Sequence, residues 1–250
     1  MLTSLRIRIL LFLSLIIVFP LAAQHSEVAY YADQQIELKH DNDFLLSTDR
    51  YYTTGSFIGY RKLLNPSSET SEKKQLSIYA EQSYFTPSNL HSSHIDEYDR
   101  PYAGYLGVNS GLSFTNDKRM LDFTLTIGVT GEISGSQGLQ SWFHNTNKST
   151  APSWKGQIEN NTHANLYGSY LREGRVLNNA IQMHVALKPA LAMGTKDYYL
   201  ENEVAIYLGK RNTLQRTMAY RQLGQIKNEL FFSLKGAYRF VIHDAMLQGS

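Results

Sequence analysis

Alternation with a period of two residues is the property that most restricts what this chain can become. In RMLDFTLTIGVTGEI, from Arg119, the residues Leu121, Phe123, Leu125, Ile127 and Val129 fall on one face of a strand. Asp122, Thr124, Thr126, Gly128 and Thr130 fall on the other. NELFFSLKGAYRFVIHD, from Asn228, repeats the pattern, with Leu230, Phe232, Leu234, Tyr238, Phe240 and Ile242 opposed to Ser233, Lys235, Ala237 and Arg239. A face that carries lysine and arginine implies a wet interior, which leaves the apolar face to meet something other than a core. Similar runs at Gln35–His40, Tyr52–Arg61, Gln75–Tyr84, Tyr102–Phe114, His163–Leu171, Asn179–Lys188 and Leu200–Gly209 bring the expected strands to nine.

The amino terminus says where such a sheet is delivered. Met1 to Ala23 has a basic start at Arg6 and Arg8, an apolar core from Ile9 to Phe19, and small residues at Ala22 and Ala23, the pattern of a secretory signal. Its apolar core falls short of the roughly 20 apolar residues of a spanning helix, and no other segment supplies such a run. With no cysteine in the chain there is no disulfide, no thiolate metal site and no lipoprotein anchor. The net charge of +2, without a lysine- or arginine-rich block, carries no nucleic-acid footprint. The chain is rich in tyrosine, 17 in all, and Tyr51, Tyr52, Tyr84, Tyr102, Tyr198 and Tyr199 fall near strand ends, as in an aromatic girdle.

These features favour an all-β, antiparallel transmembrane β-barrel in the outer membrane over a secreted soluble sandwich or barrel. Residues 1–23 are the expected signal peptide and residues 24–250 one barrel domain. If the mature amino terminus lies in the periplasm, the odd connections face outside and the even ones, NPSSETSEKK, TNDKR and EGRVLN, face inside. KRNTLQRTMAYRQLGQIK is long for an inner turn. Nine strands do not close an antiparallel barrel whose ends both lie in the periplasm, and the chain stops at DAMLQGS without a final aromatic-ended strand. The barrel is therefore expected to be incomplete at its carboxyl end.

One segment breaks the alternation. SQGLQSWFHNTNKSTAPSWKGQIEN, Ser136 to Asn160, reads as a helix in an outer loop, with Gln140 and His144 on one helical face. The pair could orient and supply a base. By spacing alone, two polar residues on the wet side of a loop helix is the stronger reading. HDND offers Asp41, Asn42 and Asp43 as hard oxygen ligands suited to calcium, although a solvated turn has the same composition. His91, His94 and Asp96 form a weaker group of the same kind. Neither TTGSFIG nor EISGSQG shows a serine nucleophile elbow, so a hydrolase built on this chain would use activated water.

In combination, ELKHDNDFLLSTDRYYTTGSFIGY, SIYAEQSYFTPSN, DRPYAGYLG and GLQSWFHNTNKSTAPSWKGQIEN resemble the outer-membrane lipid A deacylases, which remove the 3-O-linked acyl chain from lipopolysaccharide. The resemblance runs from Ile36 to about Ile242. It implies a twelve-stranded barrel, of which about nine strands are present, a calcium ion (Ca2+), and a site between the barrel wall and a helix of an outer loop. In that resemblance His144 is the base that activates water, Gln140 its helical neighbour, Asn42 and Asp43 the pair at the end of the first strand that would bind the metal, and Thr53 the threonine that starts the second. It also implies lipid A and outer-membrane lipid as partners, a monomer, and a site toward the outer leaflet. Two positions depart from the pattern. Where some members carry a lysine this chain has TPSNLHSS, with Ser92 near that place, and NTNKSTAP lacks an acidic residue that some members have. A non-catalytic barrel of the same fold and a phospholipase-like esterase are the alternatives.

Overall fold

The alternating runs form strands where the sequence places them. In the computed structural model, which describes residues 30–42, 51–65, 72–90, 94–178 and 182–249, they are β1 (Tyr30–Ala32), β2 (Gln34–Asn42), β3 (Tyr51–Leu63), β4 (Lys73–Thr86), β5 (Ala103–Thr115), β6 (Arg119–Thr130), β7 (Asn161–Asn178), β8 (Gln182–Gly194), β9 (Asp197–Lys210), β10 (Gly224–Ile226) and β11 (Leu230–Asp244). Two α-helices, α1 (Ser136–Thr146) and α2 (Ala245–Gln248), and three short 3-10 turns complete the described chain. The nine expected strands build one antiparallel sheet in the order β11-β9-β8-β7-β6-β5-β4-β3-β2, and β1 pairs separately with β10. EGRVLN is not a turn but the last part of β7. The signal segment, Asp43, His91 and Ser92 lie outside the described residues.

The sheet is apolar on the outside. Leu106 pairs with Val129, Val108 with Ile127 and Leu112 with Phe123, and Leu125 pairs with Leu166, so neighbouring strands place large side chains on one shared face. That face is open: Ile36 is 77% exposed, Leu38 76% and Ile127 57%. Among the described residues no helix is long and apolar enough to cross a membrane. The opposite face is polar and internally bonded. Asn109 donates to Glu81 at 3.2 Å, Thr126 bonds Asn109, Tyr167 bonds Asp197, and Arg239 donates to Glu201 at 2.7 Å. A sheet with its polar groups gathered inside and its apolar groups outside suits lipid as the surrounding medium.

The long connection after β9 explains how the inner face closes at one end. Residues 211–226 turn back and lie across the concave side of the sheet. Leu214 packs with Met120, Leu171, Ala186, Ala205 and Tyr207 from four strands. Arg211 donates to Glu173 at 2.7 Å and to Thr217 at 3.1 Å, while His184 meets the other oxygen of Glu173 at 3.0 Å. The Arg211 guanidinium lies 4.1 Å from the centre of the Tyr207 ring. Further along, the Leu223 amide donates to Gln75 at 2.6 Å and Arg221 pairs with Glu37 at 3.3 Å. One segment thus touches β9, β7, β4 and β2, which requires the sheet to curl around it as a half-barrel.

Candidate functional site

Strand parity brings the ends of β2, β4 and β6 and the starts of β3, β5 and β7 to a single rim, and the candidate residues gather there on the outer face of the wall. In β2, Asn42 shares a face with Ile36 and Leu38, and its side-chain amide donates to Thr54 at 2.9 Å. The β3–β4 register shifts between Tyr52 and Thr54, so Thr53 is a bulged residue without a cross-strand partner. That extra residue turns outward beside Thr54. Thr53 is 1% exposed, with its hydroxyl 2.9 Å from that of Thr86 at the end of β4. Two residues back on the same face of β4, Tyr84 meets the edge of Trp154, and Trp154 stacks on Tyr102 at 5.3 Å between ring centres.

The helix is seated on this wall by a short glycine-flanked turn. Gly131 and Gly135 adopt φ of 79° and 71°, values that favour glycine, and they bracket a single 3-10 turn over Glu132–Ser134. The Ser134 hydroxyl donates to the Gly131 carbonyl at 2.6 Å, and Gln82 of β4 donates to the Ser134 carbonyl at 2.8 Å. A Cβ on Gly104 would stand 2.6 Å from that of Ser136, so only glycine lets the start of α1 press against β5. One turn into the helix, Gln140 is 1% exposed and accepts the Trp154 indole N–H at 2.7 Å. His144, a further turn along, is half-buried, and its Nδ1 lies 3.0 Å from the Ser149 hydroxyl. Ser149 also caps the helix end, its amide donating to the His144 carbonyl at 2.9 Å.

Along the wall, then, Asn42 bonds Thr54, the neighbouring Thr53 bonds Thr86, Tyr84 two residues back on β4 meets the Trp154 ring, and Trp154 bonds Gln140, one helical turn before His144. Of the residues predicted from sequence, Asn42 and Thr53 stand on adjoining strands of this face, and Gln140 and His144 on the helix above it; Asp43 lies outside the described residues. Gln140 is engaged with Trp154 as well as lying on the His144 side of the helix. Asp41 turns the other way, to the inner face, where Lys39 donates to it at 2.5 Å and Tyr52 at 3.2 Å. Among the described residues no three histidine, aspartate or glutamate side chains converge as metal ligands. His94 and Asp96 are exposed in the β4–β5 loop.

Sequence reasoning did not single out Trp154, Thr86 or Ser149, which frame the site with Tyr102, and it assigned Tyr102 to the girdle instead. APSW was its only trace of Trp154. The tyrosines assigned to a girdle divide: Tyr51 and Tyr198 are exposed, but Tyr84 and Tyr102 are buried under Trp154, Tyr52 turns to the inner face, and Tyr199 packs inward beside Tyr167. The loop between β4 and β5 is tied down by Asp99, which accepts the Ser88 amide at 2.9 Å. That amide holds the Asp99 carboxyl below its ordinary pKa. Arg100, over the Phe85 ring at 4.4 Å, donates to the Met246 carbonyl at 2.8 Å and fastens α2 to the same rim.

A family model described as "Outer membrane protein LpxR" matches residues 9–250. Among solved structures, LpxR from Salmonella typhimurium superposes with a TM-score of 0.68 over 89% of this chain and 80% of that one, at 21% identity. At that identity the likeness is one of fold. No curated protein matches the sequence.

Proposed function

The chain belongs to the LpxR family of outer-membrane proteins, and from that premise we propose that it hydrolyses the 3-O-linked acyl ester of lipid A with His144 as the base. The observation that supports this most is the placement of α1. The helix packs on the outward face of β4 and β5, so that an ester in the leaflet would reach His144 without entering the barrel. The rim that carries α1 would face the outer leaflet.

In the proposed chemistry a water oxygen forms a bond to the ester carbonyl carbon while His144 takes the water proton. The bond from that carbon to the 3-oxygen then breaks, and His144 returns the proton to the departing oxygen. The tautomer in which Nδ1–H donates to Ser149 leaves the lone pair on Nε2, which a base needs. Gln140 and Thr53 act as positioning residues: Gln140 locks Trp154 against the wall, and Thr53 joins β3 to the end of β4 through Thr86.

Calcium fits in kind. The side-chain donors at the end of β2 are oxygens, and the bond from the Asn42 NH2 group to Thr54 turns its amide oxygen away from that strand. Asn42 and Asp43 would hold the ion, which when bound supplies positive charge for the ester carbonyl oxygen.

Purified protein in detergent micelles, given lipopolysaccharide, tests the reading. Release of the 3-O-linked fatty acid should fall by about 10²- to 10⁴-fold in His144→Ala, the usual worth of a positioned base. Chelation of calcium should suppress release in the wild type, and added calcium should restore it. Unchanged release from His144→Ala would remove the histidine from the mechanism.

A further inference from the structure

We propose that the apolar flank of α1 is a membrane-interface anchor, with Trp142 and Phe143 seated in the headgroup layer of the outer leaflet beside the site. The chain has two tryptophans and they are used in opposite ways: Trp154 is 3% exposed, and Trp142 is 63% exposed. A single exposed apolar residue is ordinary on a protein surface. The position of Trp142 is not ordinary, because its helix is fixed to the outward face of β4 and β5. That face carries Ile78, Leu106 and Val108 toward lipid.

Helical spacing divides α1 into three sides. Ser136 and Gln140 meet the wall, Gln137, Ser141 and Asn145 make a polar flank, and Leu139, Trp142 and Phe143 make an apolar one. Leu139 packs against the Tyr84–Tyr102–Trp154 cluster, so the apolar flank continues the apolar surface of the wall. A helix with one apolar and one polar flank lies in the plane of the interface, and indole favours that layer because one edge is apolar and the N–H is polar. Phe143 lies edge-on to the His144 ring with 6.1 Å between centres. The depth at which the anchor rests therefore sets the depth of the base.

The inference rests on the outer-membrane location and not on the deacylase reading, so it is tested without catalysis. The full chain is reconstituted in phosphatidylcholine vesicles that lack lipopolysaccharide, with bromine carried on the acyl chain either near the headgroup or near the methyl end. Emission assigned to Trp142 is the difference between wild type and Trp142→Phe, and Trp154→Phe reports it directly. The proposal expects the shallow label to remove most of the Trp142 emission, the deep label to remove little, and acrylamide in the water to be a poor quencher. Trp142 emission that neither brominated lipid alters and that acrylamide quenches fully would overturn it. Equal lipid quenching of wild type and Trp142→Phe would overturn it too, since the signal would then come from Trp154.

Discussion

Gln140 and His144 are one helical turn apart and are held by different partners. Gln140 accepts the indole N–H of Trp154 in a buried cluster, while His144 rests against Ser149 at the helix end. Replacing Gln140 by leucine keeps the volume of the cluster but leaves that N–H without its acceptor, a loss worth about 1–3 kcal/mol for a buried donor. Gln140→Leu should therefore lower stability by about that amount in denaturant unfolding and shift Trp154 emission, since the indole loses its hydrogen bond. An unchanged unfolding midpoint would show that the bond does not hold the cluster. The i to i+4 spacing was visible in the sequence. That Gln140 is committed to Trp154 was not, because the partner lies fourteen residues away across a proline-containing loop.

At the scale of elements, the strands were legible because lipid outside and polar groups inside impose a strict alternation on each of them, and all nine runs form the main sheet. Leu125, 50% exposed at the middle of β6, tests the outward face. Leu125→Arg should cost about 2–4 kcal/mol in a folding titration in bilayers if that position meets the midplane. The segment after β9 was visible only as an overlong turn, since nothing local marks a polar stretch for insertion. Its anchor is Arg211, whose partner Glu173 is thirty-eight residues earlier on another strand, and both side chains are buried. Arg211→Ala strands Glu173 without its cation, and a broken buried pair costs about 3–5 kcal/mol. A much smaller loss in denaturant unfolding would mean that the segment is held by Leu214 and its apolar neighbours instead. Tyr52 was misread for a related reason, since the bulge at Thr53 changes parity within β3 and turns Tyr52 inward although Thr54 faces outward, whereas Tyr84 and Tyr102 are covered by Trp154 from a loop that strand position does not reveal.

For the whole molecule, the proposed function depends on an inside-out sheet and a helix fixed to its outward rim, which together would place the candidate groups at the edge of the leaflet. Neither feature alone achieves this. The wall supplies Asn42 and Thr53 on its outward face, and the loop helix that follows the turn at Gly131–Gly135 carries His144 on the same side of the sheet. The resemblance carried by DRPYAGYLG and GLQSWFHN was readable in sequence, but that the candidate residues stand on the outward face of the wall needed the strand parities of β2, β3 and β4 together. Mass spectrometry of lipid A from cells expressing the chain, its His144→Ala variant and its Asp43→Ala variant tests this account most directly. It predicts lipid A lacking the 3-O-linked acyl chain with wild type and intact lipid A with both variants, all three proteins being present in the outer membrane. Intact lipid A with wild-type protein folded there in the presence of calcium, or the same loss with His144→Ala, would contradict it.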